Sequence, residues 1–150
     1  MTGRLLLVGA AALLGGAGAP AQDVSVVVSG LRSARGQLLA CLTTQAKAFP
    51  DCSKDPAAHH LTVPLTSGGP VTLDFGAVPA GRYAVSLIHD ENANGKLDTT
   101  LMLPREGYGF SRDAPVRFGP PPFTAAAFVV GGEPVRQAIR VRYLLGGGAR

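Results

Sequence analysis

Asp90, Asn92, Asn94 and Asp98 put oxygen-bearing side chains at the first, third, fifth and ninth positions of a calcium-loop count within HDENANGKLD. Alternate residues converge on a hard cation when the chain coils around it. Gly95 takes the sixth position, where the sharp turn is needed, and Lys96 at the seventh offers its backbone carbonyl. The twelfth position is Leu101, so the bidentate acid is missing, and Glu106 can replace it only by folding back. Only Asp90 and Asp98 bring negative charge, so such a site is expected to be weak, with a dissociation constant of about 10⁻⁴ to 10⁻³ M. A turn without metal also fits. Asn-Gly is the preferred pair for a type I′ hairpin turn, and Asx side chains brace turns by bonding their own backbone. That reading accounts for Asn94-Gly95 directly and for Asp90, Asn92 and Asp98 less well.

His89, Asp90 and Glu106 are the candidates for acid–base chemistry. Neighbours on a strand point to opposite sides, so His89 and Asp90 do not form a dyad by themselves. His89 continues the parity of Tyr83, Val85 and Leu87, which puts a hydrogen-bonded histidine at the edge of a core. No G-x-S-x-G nucleophile signature is present. A non-enzymatic protein is expected, with no catalytic residue, and an enzyme using those three residues is the alternative. The segment PREGYGFSRDAPVRFGPPPF offers a different kind of site. Arg105, Glu106, Tyr108, Phe110, Arg112 and Phe118 would form an aromatic and charged recognition surface if exposed, or cover one end of the core if not.

The elements that must hold these residues read as strands throughout. DVSVVVSG alternates, with Val24, Val26 and Val28 on one face, and QLLACLTT follows as a second strand. Segment 44–60 is polar and broken by Pro50 and Pro56, so a long loop is expected there. LTVPL and VTLDF flank TSGG, a hairpin-like turn, and Val71, Leu73 and Phe75 share a face. GRYAVSLIHD leaves the corner at Pro79-Ala80-Gly81, and the Gly- and Pro-rich residues 99–124 read as an ordered loop. AAAFVV and EPVRQAIRVRYLL close the domain around Gly131-Gly132, with Arg136, Arg140 and Arg142 forming a solvated stripe. About seven short strands with long loops and no amphipathic helix point to an all-β fold, an antiparallel β-sandwich of Ig-like or transthyretin-like type.

Residues 1–21 read as a secretory signal: Arg4, the apolar run LLLVGAAALLGGAGA, then the A-x-A pattern Ala19-Pro20-Ala21. An uncleaved anchor is the alternative. The run is shorter than the roughly 18 to 20 apolar residues a span needs, and no later segment could span a membrane. A single sandwich domain is expected over 22–145, with a disordered tail at 146–150. Without Arg4 the formal charge is 13 − 10 = +3, from 14 basic and 10 acidic residues in the whole chain. The excess is spread out and aromatics make up 6%, which excludes a nucleic-acid footprint. Cys41 and Cys52, an even pair in an exported chain, favour a disulfide over two free thiols.

FGAVPAGRYAVSLIHDENANGKLDTTLMLPREGYGFS, followed by RFGPPPFTAAAFVV, resembles the bacterial secreted family known as domain of unknown function 2141, over about residues 24 to 143. PAGRYAVSL is similar, more weakly, to the carboxypeptidase-regulatory-like and Cna-B-like sandwiches. TTLMLPREGYGF stands where a Gly-Ile-Pro-like stretch is usual in the family. The resemblance implies an exported β-sandwich and carries over no catalytic residue. The expectation is a periplasmic or secreted binding or accessory module, with an envelope protein or an extracellular ligand as partner. Calcium on the Asp90–Asp98 loop is the one cofactor weighed.

Overall fold

Period-two alternation decides the strands. Val24, Val26 and Val28 are fully buried, while the residues between them face outward, as one face on a core and one on water demands. Residue 16 and residues 18–145 are described in a computed structural model of the chain. The expected signal 1–21 lies mostly, and the expected tail 146–150 entirely, outside them. The strands are β1 (Gln22–Ser29), β2 (Gln37–Thr43), β3 (His59–Pro64), β4 (Val71–Val78), β5 (Gly81–Asp90), β6 (Thr99–Thr100), β7 (Leu103–Pro104), β8 (Gly107–Phe110), β9 (Phe128–Val130) and β10 (Val135–Arg140). A 3-10 turn at Ser111–Asp113 and one helical turn, α1 (Phe123–Ala126), complete the order. No helix among the described residues is long and apolar enough to cross a membrane.

The chain forms the all-β, sandwich-like fold expected of it. One sheet has the order β10-β1-β4, and the other β3-β2-β5-β8, with β9 also paired to β5. The pairings are antiparallel except that of β1 with β10, which is parallel, with Val24 opposite Val135 and Val28 opposite Ile139. Val24, Val26, Val28, Leu73 and Ile139 of the first sheet meet Leu38, Leu42, Val85 and Leu87 of the second in one apolar core. Two connections differ from the sequence reading. TSGG does not turn a hairpin but carries the chain across the core, since β3 pairs with β2 and β4 with β1. Gly131-Gly132 does the same between β9 and β10. At the corner before β5, the Tyr83 hydroxyl donates to the Pro79 carbonyl at 2.9 Å.

Residues 99–124, expected to be a loop, contain β6, β7 and β8. In β8 the residues alternate between glycine and an aromatic. Gly107 and Gly109 face the first sheet so closely that a Cβ on Gly109 would lie 2.4 Å from Ile139 Cγ2. Tyr108 and Phe110 face the other way, into a second buried cluster with Ala84, Ala114 and Ala126. Phe49 joins it from the long loop, with ring centroids 5.7 Å from Phe110 and 6.0 Å from Phe123. That loop is tied to β2 by the expected disulfide, Cys41–Cys52, with Cα atoms 6.5 Å apart. Closing a loop of this length stabilises by about 3 kcal/mol in the chain-entropy account.

Because Ile139 is fully buried, it cannot yield to a methyl group cheaply. Gly109→Ala is expected to destabilise by about 1–3 kcal/mol through overpacking. Gly68→Ala, where no atom lies within 4 Å of the added carbon, is expected to be near neutral. Urea denaturation midpoints check both.

Candidate functional site

The end of β5 delivers His89 and Asp90 to one place, where the β1–β2 turn, the segment before β8 and the chain after β10 converge. Gly36 permits the approach: its φ is +73°, and a Cβ there would lie 2.0 Å from the Asp90 carbonyl oxygen. His89 is fully buried. Its Nε2 is 2.9 Å from the Arg35 carbonyl oxygen and its Nδ1 is 2.7 Å from the Tyr143 hydroxyl. A carbonyl only accepts, so Nε2 carries a proton, and in the neutral ring Nδ1 accepts from the Tyr143 hydroxyl. The Tyr143 oxygen in turn accepts from the Arg32 N–H at 3.2 Å. Burial pushes the Tyr143 phenol above its ordinary pKa.

Asp90 is also fully buried. Its Oδ1 accepts from the N–H of Asn94 at 3.1 Å, and its Oδ2 accepts from the N–H of Gly95 and from Gln37 Nε2, both at 2.8 Å. Glu106, 5% exposed, folds back across the mouth of the loop. Its Oε1 accepts from the N–H of Glu91 at 2.9 Å and its Oε2 from the N–H of Asp98 at 3.0 Å. His89, Asp90 and Glu106 are thus brought to one region, yet each is bonded to other parts of the chain. Every buried side-chain nitrogen or oxygen among the described residues has a hydrogen-bond partner.

The loop from Asp90 to Asp98 is not the hairpin that Asn94-Gly95 suggests. The left-handed residues are Ala93 (φ 56°) and Gly95 (φ 83°), not Asn94, and β5 pairs with β8 instead of with β6. The chain coils around the Asp90 carboxylate. Asn92 and Asn94 brace it as Asx turns, their Oδ1 atoms accepting from the N–H of Asn94 and of Lys96, each at 3.1 Å. Their amides donate to Asp98, at 2.6 Å from Asn92 and 2.9 Å from Asn94. These bonds, Asn94's first, hold the Asp98 carboxyl below its usual range, and Lys96 and Arg105 add to the effect. Among the described residues, no three His, Cys, Asp or Glu side chains are placed to share one metal ion.

The expected recognition surface is divided. Tyr108, Phe110 and Glu106 are buried, so the two aromatics act as core for the second cluster. Arg105, Arg112 and Phe118 are exposed, and Phe118 is fully so, at 106%. It borders a hollow of about 320 Å³ lined by Pro115, Arg117, Pro120, Pro122 and Ala125.

A clamp around Arg32 and Glu91 was not readable from spacing, because its members are more than fifty residues apart in the chain. Arg32 Nε donates to Glu91 Oε2 at 3.0 Å, Arg32 Nη2 bonds the same oxygen, and the Ser33 hydroxyl donates to Oε1 at 2.8 Å. The Arg32 guanidinium lies over the Tyr143 ring, 4.4 Å from its centroid, and donates to the carbonyls of Leu145 at 2.8 Å and Arg105 at 3.2 Å. A second feature had no signature either. β6 and β7 form a two-stranded ribbon, with Thr100 opposite Leu103. Leu101 (φ 50°) and Met102 (φ 64°) form its tip in the left-handed region, where a non-glycine residue costs roughly 1–2 kcal/mol.

Residues 26–138 match the family described as uncharacterized protein conserved in bacteria (DUF2141). The chain belongs to that family. No curated protein and no solved structure matches it.

The Arg32 guanidinium, with help from Ser33, holds the Glu91 carboxyl down to about 2 against the opposing effect of burial. A carboxyl depressed on folding adds stability that is full above the ordinary carboxylate range, and that stability is lost as the pH falls towards the folded value. Glu91→Gln is therefore expected to be less stable than the native chain at neutral pH, with the gap closing between about pH 4.5 and about pH 2. Thermal melts across that range check it; a gap independent of pH would dissociate Glu91 from the effect.

Proposed function

We propose that this member of DUF2141 is an exported, non-enzymatic module of the cell envelope that acts by binding. One observation carries the reading: His89, Asp90 and Glu106 are buried, and their polar atoms are engaged by the chain's own donors and acceptors. A general acid or base must reach the proton it transfers. These groups brace a loop instead. The disulfide and the signal-like residues 1–21 support an oxidising, exported setting. Phe118 supports binding, since a fully exposed aromatic beside Arg117 and a proline-lined hollow matches the residue types that dominate interfaces. A photocrosslinking amino acid at position 118, in cells expressing the protein, is expected to yield a discrete adduct with an envelope component. The same probe at exposed Glu133 should yield none. Equal labelling at both positions would remove the binding role of this loop.

Calcium binding is the second reading, favoured by the coil of residues 90–98 and by the convergence of Asn92 and Asn94 on Asp98 within it. Side-chain oxygens of Asp90, Asn92, Asn94 and Asp98, and the carbonyl of Lys96, would be the ligands. Millimolar calcium is expected to raise the melting temperature of the native chain and not that of Asp98→Asn. Identical melts in calcium and in EDTA would rule the reading out.

A further inference from the structure

Leu101 is 91% exposed, Met102 93% and Leu103 47%, three consecutive apolar residues at the end of a ribbon that pairs with neither sheet. A turn with left-handed φ at both central residues favours Asn-Gly for folding alone. Leu and Met are worse choices on two counts, backbone conformation and exposure to water. The ribbon beneath them is firmly held. The Arg105 N–H donates to the Asp98 carbonyl at 2.9 Å to close its base, and Asp98 is fixed by Glu106, Asn92 and Asn94. From Asp98 to Leu101 an extended chain rises about 10 Å, enough to carry the tip to the depth of about 5–10 Å at which interfacial segments rest in a bilayer.

The charges at the base complete the picture. Lys96 and Arg105 are exposed and lie near Asp98. Glu91 is paired with Arg32 and Arg35, and Asp90 and Glu106 lie beneath the surface. The groups that the base presents to solvent are therefore two cations, Lys96 and Arg105, against the half-buried Asp98. We infer that the β6–β7 ribbon is a membrane anchor, which inserts Leu101, Met102 and Leu103 into the surface of an anionic lipid bilayer while Lys96 and Arg105 contact its headgroups. A convex apolar knob over a cationic base is complementary to such a surface, where apolar burial and headgroup attraction act together. This anchor rests on residues other than those of the Phe118 loop and stands or falls separately from it.

The test uses the protein as processed and purified from the envelope of expressing cells, in flotation with vesicles of phosphatidylcholine alone or mixed with phosphatidylglycerol. The native chain is expected to float with the mixed vesicles and far less with phosphatidylcholine alone. The double variant Leu101→Asn, Met102→Gly suits the turn, so it should melt at or above the native temperature, yet bind the mixed vesicles about tenfold or more weakly. Lys96→Gln and Arg105→Gln should each weaken binding about fivefold. The chain has no tryptophan, so Met102→Trp supplies a single reporter whose emission should shift to the blue on the mixed vesicles. Native chain that ignores the mixed vesicles, or a double variant that binds as tightly as the native chain, overturns the anchor. The tip would then be left to a pocket on a protein.

Discussion

Asp90 has no access to water, and an ionised carboxylate in that position must be compensated by donors from the protein. Gln37 supplies one from β2, which ties the requirement to the sheet. The other two are backbone N–H groups four and five residues further along, so the chain has to wind back over Asp90 as it leaves β5. That winding organises the whole loop. It places Asn92 and Asn94 where their amides meet Asp98, brings the N–H groups of Glu91 and Asp98 within reach of Glu106, and sets the direction in which the ribbon emerges.

The same end of β5 explains why the neighbouring histidine is structural. His89 lies between the β1–β2 turn and Tyr143, with both ring nitrogens in use. Arg32 then closes over Tyr143 and binds Glu91. Residues from the first sheet's connections and from the end of the chain are fastened to the second sheet at one point. β5 is covered along both faces, by the main core and by the second aromatic cluster. A strand buried on both faces needs both layers to be specific, and β8 supplies this by presenting glycine to one and aromatics to the other.

Much of this was readable from the residues. Strict alternation in β1 and the parity of Tyr83, Val85, Leu87 and His89 identified buried faces correctly, because side-chain period and burial are coupled by strand geometry. The disulfide followed from an even pair of cysteines in a chain whose first residues read as a secretory signal. The two crossovers were misread because a short Gly- or Ser-rich link has the same composition whether it reverses a chain within a sheet or hands it to the opposite one. β8 was missed because Gly107 and Gly109 lower strand propensity, and the close approach that requires them involves residues some thirty positions later. The Arg32–Glu91–Tyr143 clamp joins parts of the chain more than fifty residues apart, and no local pattern encodes such a contact.

The most instructive disagreement concerns the two turns. Asn94-Gly95 has the composition of a type I′ turn and does not make one, while Leu101-Met102 has the wrong composition and adopts left-handed φ at both positions. Local propensity alone would exchange the two pairs. At Asn94 the amide is taken by Asp98 and the neighbouring Gly95 N–H by Asp90, so the stability of the buried carboxylate accounts for the departure. At Leu101 and Met102 no contact of comparable worth offsets the strain, since both side chains face water. A sequence is expected to violate local rules where something other than folding sets the residue. By that criterion the first departure belongs to the architecture of the fold, and the second to what the ribbon touches outside it.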